Sequence, residues 1–464
     1  MRAKRRIVSA VYSALLGVSG FDAGASEGRP PAGDSDRYDF TLHSTTHAEL
    51  FRRALLPGPK GAVVETDSVV PVHQFLSVRV RDVDSSFGRD SIDVELAAWG
   101  RGWFGERQTE ELFDGDVQIA NVRYHQGPLS LRLGRQHAVG GAARFVRFDG
   151  LALAALLGEG FDAEAYAGLT ALPRWNARPG YHTLGSAADS LLRDPDALPD
   201  PERSGYWLGG GRLGFASERV NAGVSFHEQH EPAGLARRSL GLDARVLSLP
   251  YQATLGGGGI LELDARRIQD ARLYLDAVPV DFMDVSLEYL HTEPALFLSR
   301  QSVLSVFSTD AYEDLTASGT LHAAERFALE GAGSVEFYDD GRRGARSEVA
   351  ARVVPGPGKR TLVRIAYARV VALDNGYHSL RASLSRRLLA ALSGTLEAYF
   401  YLYDEAIRDR TTSEVYAGTL SYQATRRLEL LWGASLAQSP YARADAQTLV
   451  RASYAFDFSR GMGP

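Results

Sequence analysis

The sequence predicts an all-β protein, a single closed antiparallel transmembrane β-barrel, and three observations lead there. Apolar and polar residues alternate with period two from about Tyr38 to Phe458, short clusters of turn residues punctuate that alternation, and no apolar run is long enough for a membrane helix. A soluble β-sandwich alternates in the same way, so scale has to decide. The chain has 464 residues, room for roughly 22 candidate strands with their connections, and no linker break of the kind that separate sandwiches need. The expected count is about 16 to 22 strands with 18 or more favoured, because segments 258–268 and 271–278 are short for spanning strands.

Composition narrows the function classes. With 51 Lys plus Arg against 57 Asp plus Glu, the net charge is -6, which argues against a nucleic-acid partner whose binding would rest on surplus cationic charge. There are no cysteines, so neither disulfides nor cysteine-ligated metal sites are available to the fold.

In chain order, the first element is a targeting segment. Arg2, Lys4, Arg5 and Arg6 precede the mostly apolar stretch Ile7–Gly20, and Ala23-Gly24-Ala25 supplies the small residues that signal peptidase needs. Residues 1–25 therefore read as a cleaved secretory signal, residues 26–37 as a disordered linker rich in Gly, Pro, Ser and Asp, residues 38–458 as the barrel and 459–464 as a short tail. No cysteine follows the cleavage site to carry a lipid anchor.

The strands then show one apolar and one charged face each. Ile92, Val94, Leu96 and Ala98 oppose Asp93 and Glu95; Leu240, Leu242, Ala244 and Val246 oppose Asp243 and Arg245; Leu261, Leu263 and Ala265 oppose Glu262, Asp264 and Arg266. Val285, Leu287 and Tyr289 oppose Asp284 and Glu288, and Leu396, Ala398, Phe400 and Leu402 oppose Glu397, Tyr399 and Tyr401. Leu428, Leu430, Trp432, Ala434 and Leu436 oppose Arg427 and Glu429. Connections alternate in length, as an outer-membrane barrel with short periplasmic turns requires. The tight ones are 424–425, 386–390, 355–360, 325–326 and 279–281, and between them come 438–445, 404–412, 339–344 and 293–310. The longest, 51–73 and 171–205, are expected outside the cell.

The last strand carries Arg451-x-Ser453-x-x-Phe456-x-Phe458, which resembles the terminal signal read by barrel-assembly machinery, with serine in place of the usual glycine and residues 459–464 beyond the aromatic. Upstream, Leu131-Arg132-Leu133-Gly134-Arg135-Gln136 followed by Ala143 to Gly150 (ARFVRFDG) resembles a strand pair of Gram-negative outer-membrane porin-like β-barrels. This resemblance covers about 45 residues and implies fold and an integral outer-membrane location, with membrane lipid and the assembly machinery as partners. More weakly, size and arginine-rich composition are similar to barrels that accompany polysaccharide export or surface motility in myxobacteria-like organisms, which implies periplasmic export or motility proteins as partners.

Motifs of other chemistries have simpler readings. Gly209 to Gly214 (GGGRLG) fits a dinucleotide loop in spacing, but alternation resumes after it where a helix is required. His227-Glu228-Gln229-His230-Glu231 lacks the histidine pair of a zincin helix and reads as a solvated loop. Asp194, Asp196, Asp200 and Glu202 could gather a calcium ion, although prolines and a missing glycine exclude an EF-hand. No nucleophile elbow is present, so neither an enzyme nor a resident metal or cofactor is expected.

If the apolar faces meet lipid, the polar faces line the lumen. The candidate lining cations are Arg79, Arg81, Arg132, Arg245, Arg266, Arg272, Arg352, Arg364, Arg381 and Arg427; the candidate anions are Asp93, Glu95, Asp243, Glu262, Asp264, Asp276, Asp284, Glu288, Glu330, Glu336, Glu348, Glu397 and Glu429. Both signs are present, which points to a pore or export conduit for small hydrophilic solutes with weak charge selectivity. The alternative is a non-conducting structural barrel serving an envelope machine for polysaccharide export or motility, its lumen closed by loops and paired charges. Tyr274, Tyr399 and Tyr401 share the polar face and could stack against sugar rings.

Overall fold

The structure, a computed structural model, describes residues 38–55, 65–84, 90–105, 113–171, 206–231, 234–248, 252–294, 311–356, 360–372, 375–440 and 442–460. The expected signal 1–25, the linker 26–37 and the acidic run 194–202 lie outside the described residues. The strands are β1 Tyr38–Leu55, β2 Glu65–Asp84, β3 Asp90–Gly105, β4 Phe113–Gln126, β5 Leu129–Gly140, β6 Arg144–Gly158, β7 Phe161–Thr170, β8 Trp207–Ala216, β9 Val220–Glu231, β10 Gly234–Ser248 and β11 Ala253–Glu262. They continue as β12 Arg267–Val280, β13 Met283–Thr292, β14 Tyr312–Ala324, β15 Phe327–Tyr338, β16 Arg343–Val353, β17 Thr361–Val371, β18 Tyr377–Arg387, β19 Leu392–Ile407, β20 Arg410–Gln423, β21 Leu428–Gln438 and β22 Ala442–Arg460.

Every strand pairs antiparallel with the next, and β22 returns to β1 over the register Tyr38↔Arg460 to Leu55↔Ala442, closing a 22-stranded barrel. Closure is what a lipid environment demands, since hydrocarbon offers no partner to an open sheet edge. The two short segments that made the count uncertain are β11 and β12, paired with each other from Thr254↔Asp276 to Glu262↔Arg267. The last strand runs to Arg460, two residues past Phe458.

Antiparallel alternation puts the strand ends flanking the five tight joints at one end of the barrel, and the ends of β7 and β13 with the starts of β8 and β14 at the other. Three connections expected to be long are shorter than the sequence suggested. β19 and β20 are joined by Arg408-Asp409 alone, both with positive φ (48° and 62°), the geometry of a two-residue hairpin turn. Residues 339–344 shrink to 339–342, and β22 begins at Ala442. The expected loop 51–73 is corrected too: β1 extends to Leu55 and β2 starts at Glu65, with Phe51↔Val69 and Ala48↔Val72 in register. Pro71, which has no N–H to donate, falls in the gap between those pairs, and turn-like composition there reflects a ladder interruption inside a strand.

The apolar face is exposed along the strands, with Leu133 and Val349 each 62% and Leu396 61% accessible, as expected of side chains that face lipid. By contrast, the largest fully buried side chains are Phe148, Leu208, His227, Gln136, Gln269 and Ser239. All six lie on β5, β6 and β8 to β12, and that concentration marks where the interior is filled.

Candidate functional site

The filled sector is built by the β5–β6 hairpin. β4 and β5 pair only from Ala120↔Arg135 to Gln126↔Leu129; beyond that point Phe113–Ile119 stay with β3, while Gln136–Gly140 pair with β6 alone. β6 in turn meets β7 only from Phe148 onward. The hairpin end, 136–148, thus leaves the wall. Gly134 sits where the strands part, with φ +118° and room for no side chain, since a Cβ there would lie 2.3 Å from the Ala120 carbonyl oxygen.

The tip is a 3-10 turn, Gly141–Ala143, and it rests on the polar faces of β9 and β10. The Ala142 N–H donates to Ser225 Oγ at 2.8 Å, and Arg237 donates to the Ala142 carbonyl at 3.1 Å. Arg144 pairs with Asp270 on β12. A Cβ at Gly241 would lie 2.6 Å from the Ala142 nitrogen, so the approach needs glycine. Contacts from β6 to strands three and more places away along the curved wall must run through the inside, which identifies the polar face as the inner one.

Beneath the tip, Phe148, Leu208 and Ala138 form an apolar cluster with Tyr166 against it. The Tyr166 hydroxyl and His227 Nδ1 are 2.9 Å apart. Gln136 donates to the Gly150 carbonyl at 2.9 Å, Arg237 donates to Gln269 at 2.9 Å and Ser239 donates to Glu262 at 2.9 Å. Most of these buried polar groups are held by one another, while Gln136 Oε1 and His227 Nε2 have no hydrogen-bond partner among the described residues.

The seam left between β4 and the hairpin is closed by arginine. Arg135 makes a two-pronged contact with Asp149 at 2.8 and 2.7 Å and donates to the Val117 carbonyl at 3.1 Å. Arg147 is ion-paired with Asp116 at 2.7 Å and donates to the Ala171 carbonyl at 2.7 Å. Backbone carbonyls that have lost their ladder partner thereby regain donors.

Around the rest of the wall, the inner face carries paired charge. Arg79 meets Glu95, Arg272 meets Glu288 at 2.8 Å and Arg381 meets Glu397 at 2.7 Å. Arg364 bridges Glu330 and Glu348, at 2.8 Å each, with Arg352 at 3.7 Å from Glu330. Asp243 pairs with Arg212 at 2.7 Å, Asp284 with His322 at 2.7 Å, Asp93 with His125 at 3.4 Å and Glu429 with Arg451 at 3.9 Å. Asp276 accepts from Ser286 and Glu336 from the Tyr338 hydroxyl. Arg81, Arg132 and Arg245 stand on the same face by register, opposite Asp39, Arg123 and Gly256 respectively.

Three candidates are elsewhere. Asp264 and Arg266 lie in the turn after β11, which ends at Glu262; Arg266 has φ +53°, so the chain is reversing where alternation seemed to continue. Arg427 precedes β21, and its guanidinium lies 4.5 Å from the centroid of the Phe456 ring, on the apolar face. His227–Glu231, expected in a loop, form the end of β9. Gly209–Gly214 lie within strand β8, which is followed by a turn and β9. In the last strand, Arg451 and Ser453 are on the inner face, Ser453 opposite Glu429, while Phe456 packs edge-on to Phe40 at 6.2 Å. Phe458 stands in register with Phe40.

Sequence reasoning missed Ser225, Gly241, Tyr166 and Arg212, and took Arg135, Arg147 and Asp149 as marks of resemblance only. Period-two alternation breaks in the hairpin, where Leu129, Leu131 and Leu133 give way at the same parity to Arg135 and His137, and Arg147 and Asp149 precede Leu151 and Leu153. That break and the glycines at 134, 140 and 141 were the available signal.

An even-numbered, closed, antiparallel barrel with an outward apolar band and a polar inner wall has one membrane context. The fold is that of an outer-membrane β-barrel. No family model and no curated protein matches the chain. Among solved structures, the barrel is similar to Pseudomonas aeruginosa OccD3 (OpdP), at 10% identity over 92% of this chain and 95% of that one, TM-score 0.38. It is similar to the P pilus usher (PapC) translocation pore at 10% identity, 89% and 99% coverage and TM-score 0.40. A chain of the E. coli P pilus tip assembly intermediate PapC-PapD-PapK-PapG matches at 11% identity, 92% and 62% coverage and TM-score 0.50. At these identities the likeness is one of fold.

Proposed function

We propose that the barrel is a pore or export conduit for small hydrophilic solutes with weak charge selectivity. The observation that carries this is the inner wall, where many arginines are paired with carboxylates on neighbouring strands, as Arg364 is with Glu330 and Glu348. A ring of one sign would favour its counter-ion; a paired wall has little preference and leaves water and uncharged solutes free to pass. Barrel diameter grows with strand number, so 22 strands enclose more space than the roughly 16 to 18 that leave an aqueous channel, although 22-stranded transporters carry a plug. Here the β5–β6 hairpin, resting against β8 to β12, occupies one side of that space. The reading assigns transport to the chain, with membrane lipid and the assembly machinery as its partners.

A second reading rests on the same hairpin. A tip bonded to the far wall through Ser225 and Arg237 is also how a barrel would be kept shut, as a structural part of an export or motility machine. Purified protein reconstituted in a planar bilayer separates the two. Stepwise conductance supports the conduit; a silent bilayer with folded β structure by circular dichroism supports the closed component.

A further inference from the structure

We infer that the mouth of the barrel carries a carbohydrate subsite, built from the tyrosines of β18 and β19 and selective for neutral polyhydroxylated solutes. The inference deepens the conduit reading and rests on it for the route by which solute arrives. Tyr399, Tyr401 and Tyr403 occupy alternate positions of β19, so all face inward, about 7 Å apart along the strand. Tyr377 on β18 stands opposite Tyr403, and its ring lies edge-on to Tyr401 and Tyr403, at 5.7 and 6.3 Å. The group lies toward the end of the barrel that carries the longest connections, where an incoming solute arrives.

Three features fit a sugar. Aromatic rings supply flat apolar faces for its C–H surfaces. Directly below, Arg381 lies 4.8 Å from the Tyr399 ring centroid and 2.7 Å from Glu397, and Tyr399 donates to Glu397 at 3.1 Å. That cluster offers donors and acceptors to hydroxyl groups, while its paired charges give no net pull on an ion. Finally, two phenols are spoken for and two are not. Tyr399 is bonded to Glu397 and Tyr403 to Ser413, at 3.0 Å, whereas Tyr377 and Tyr401 hydrogen-bond no group among the described residues. Inward-facing hydroxyls that the wall leaves without a partner are available to solute hydroxyls.

The test uses the full-length barrel in detergent with maltopentaose as the neutral probe and a galacturonate oligomer of similar length as the charged one, followed by titration calorimetry. Maltopentaose should bind, the acidic oligomer at least about fivefold more weakly. Tyr401→Ala and Tyr377→Ala should each weaken maltopentaose binding about five- to tenfold, and Tyr401→Phe, which keeps the ring, should weaken it less. Heat-modifiable gel mobility checks that each variant is folded. Equal binding of both oligomers, binding unchanged in the tyrosine variants, or no binding at all overturns the subsite. The two proposals fail separately: a barrel that conducts ions but ignores maltopentaose keeps the conduit and loses the subsite, and one that binds without conducting does the reverse.

Discussion

Ala142, at the tip of the β5–β6 hairpin, donates its backbone N–H to the hydroxyl of Ser225 on β9 at 2.8 Å, joining two strands that lie three places apart in the wall. The bond exists only because both surfaces are nearly bare. Gly141 and Gly241 stand where any Cβ would collide with Ser225 or with the tip backbone.

Adding a side chain at that contact should move the hairpin. Gly241→Val puts methyl groups where the Ala142 nitrogen already sits 2.6 Å from an ideal Cβ. Overpacking of this kind costs about 1–3 kcal/mol, and a tip held by a few hydrogen bonds is the part that can yield. Unit conductance in a planar bilayer should rise relative to the unaltered barrel. An unchanged conductance in a folded variant would mean that the tip does not constrict the path.

The seam arginine should matter more for stability than any ion pair of the open wall. The side chain of Arg147 is only 4% exposed and that of its partner Asp116 only 9%. Removing one member of a buried pair costs about 3–5 kcal/mol where the other is left alone, and here Arg135, 3.7 Å from Asp116, would remain beside the carboxylate. Arg147→Ala should lower the urea midpoint of the barrel in micelles by far more than Arg381→Ala, whose pair is 45% and 28% exposed and worth little. Similar midpoints for the two variants would count against a buried seam.

The face assignment has a direct check. Leu133 is 62% exposed on the apolar face, while Ala332 stands on the inner face opposite Glu348. Leu133→Arg should destabilise the barrel in lipid by about 2–4 kcal/mol if it sits near the midplane, and Ala332→Arg should be close to neutral. Reversed effects would mean that the polar wall faces outward.

Much of this was legible in the sequence and some was not, for physical reasons. Alternation reports which face a residue takes, so the pairing partners Arg79 and Glu95, or Arg381 and Glu397, could be assigned to one wall from the order of residues alone. It does not report where a strand stops, because Asp264 and Arg266 continue the pattern after the chain has begun to reverse. Nor does it report which neighbour a strand keeps. β5 and β6 abandon β4 and β7 where Arg135, His137, Arg147 and Asp149 take the parity held by leucines further from the tip. Together with the glycines those residues marked the hairpin, but not which strands its tip would meet. Pro71 misled in the opposite sense, marking an interrupted ladder that reads like a loop.

Sidedness follows from the connections. Asp340, between β15 and β16, lies at the end with the longest connections, and Glu218, between β8 and β9, lies at the opposite end. With Asp340→Cys, an impermeant thiol reagent should label intact cells. Glu218→Cys should react only once the outer membrane is opened. The opposite pattern would invert the barrel in the membrane.

The central claim is a water-filled path with a neutralised wall, and reversal potential under a salt gradient tests it most directly. With the barrel in a planar bilayer between unequal KCl solutions, the paired inner wall should give a potential near zero, a slight preference for one ion at most. A potential close to that of an ideal anion or cation channel would contradict the neutralised wall, and a folded barrel that passes no current would contradict the path itself.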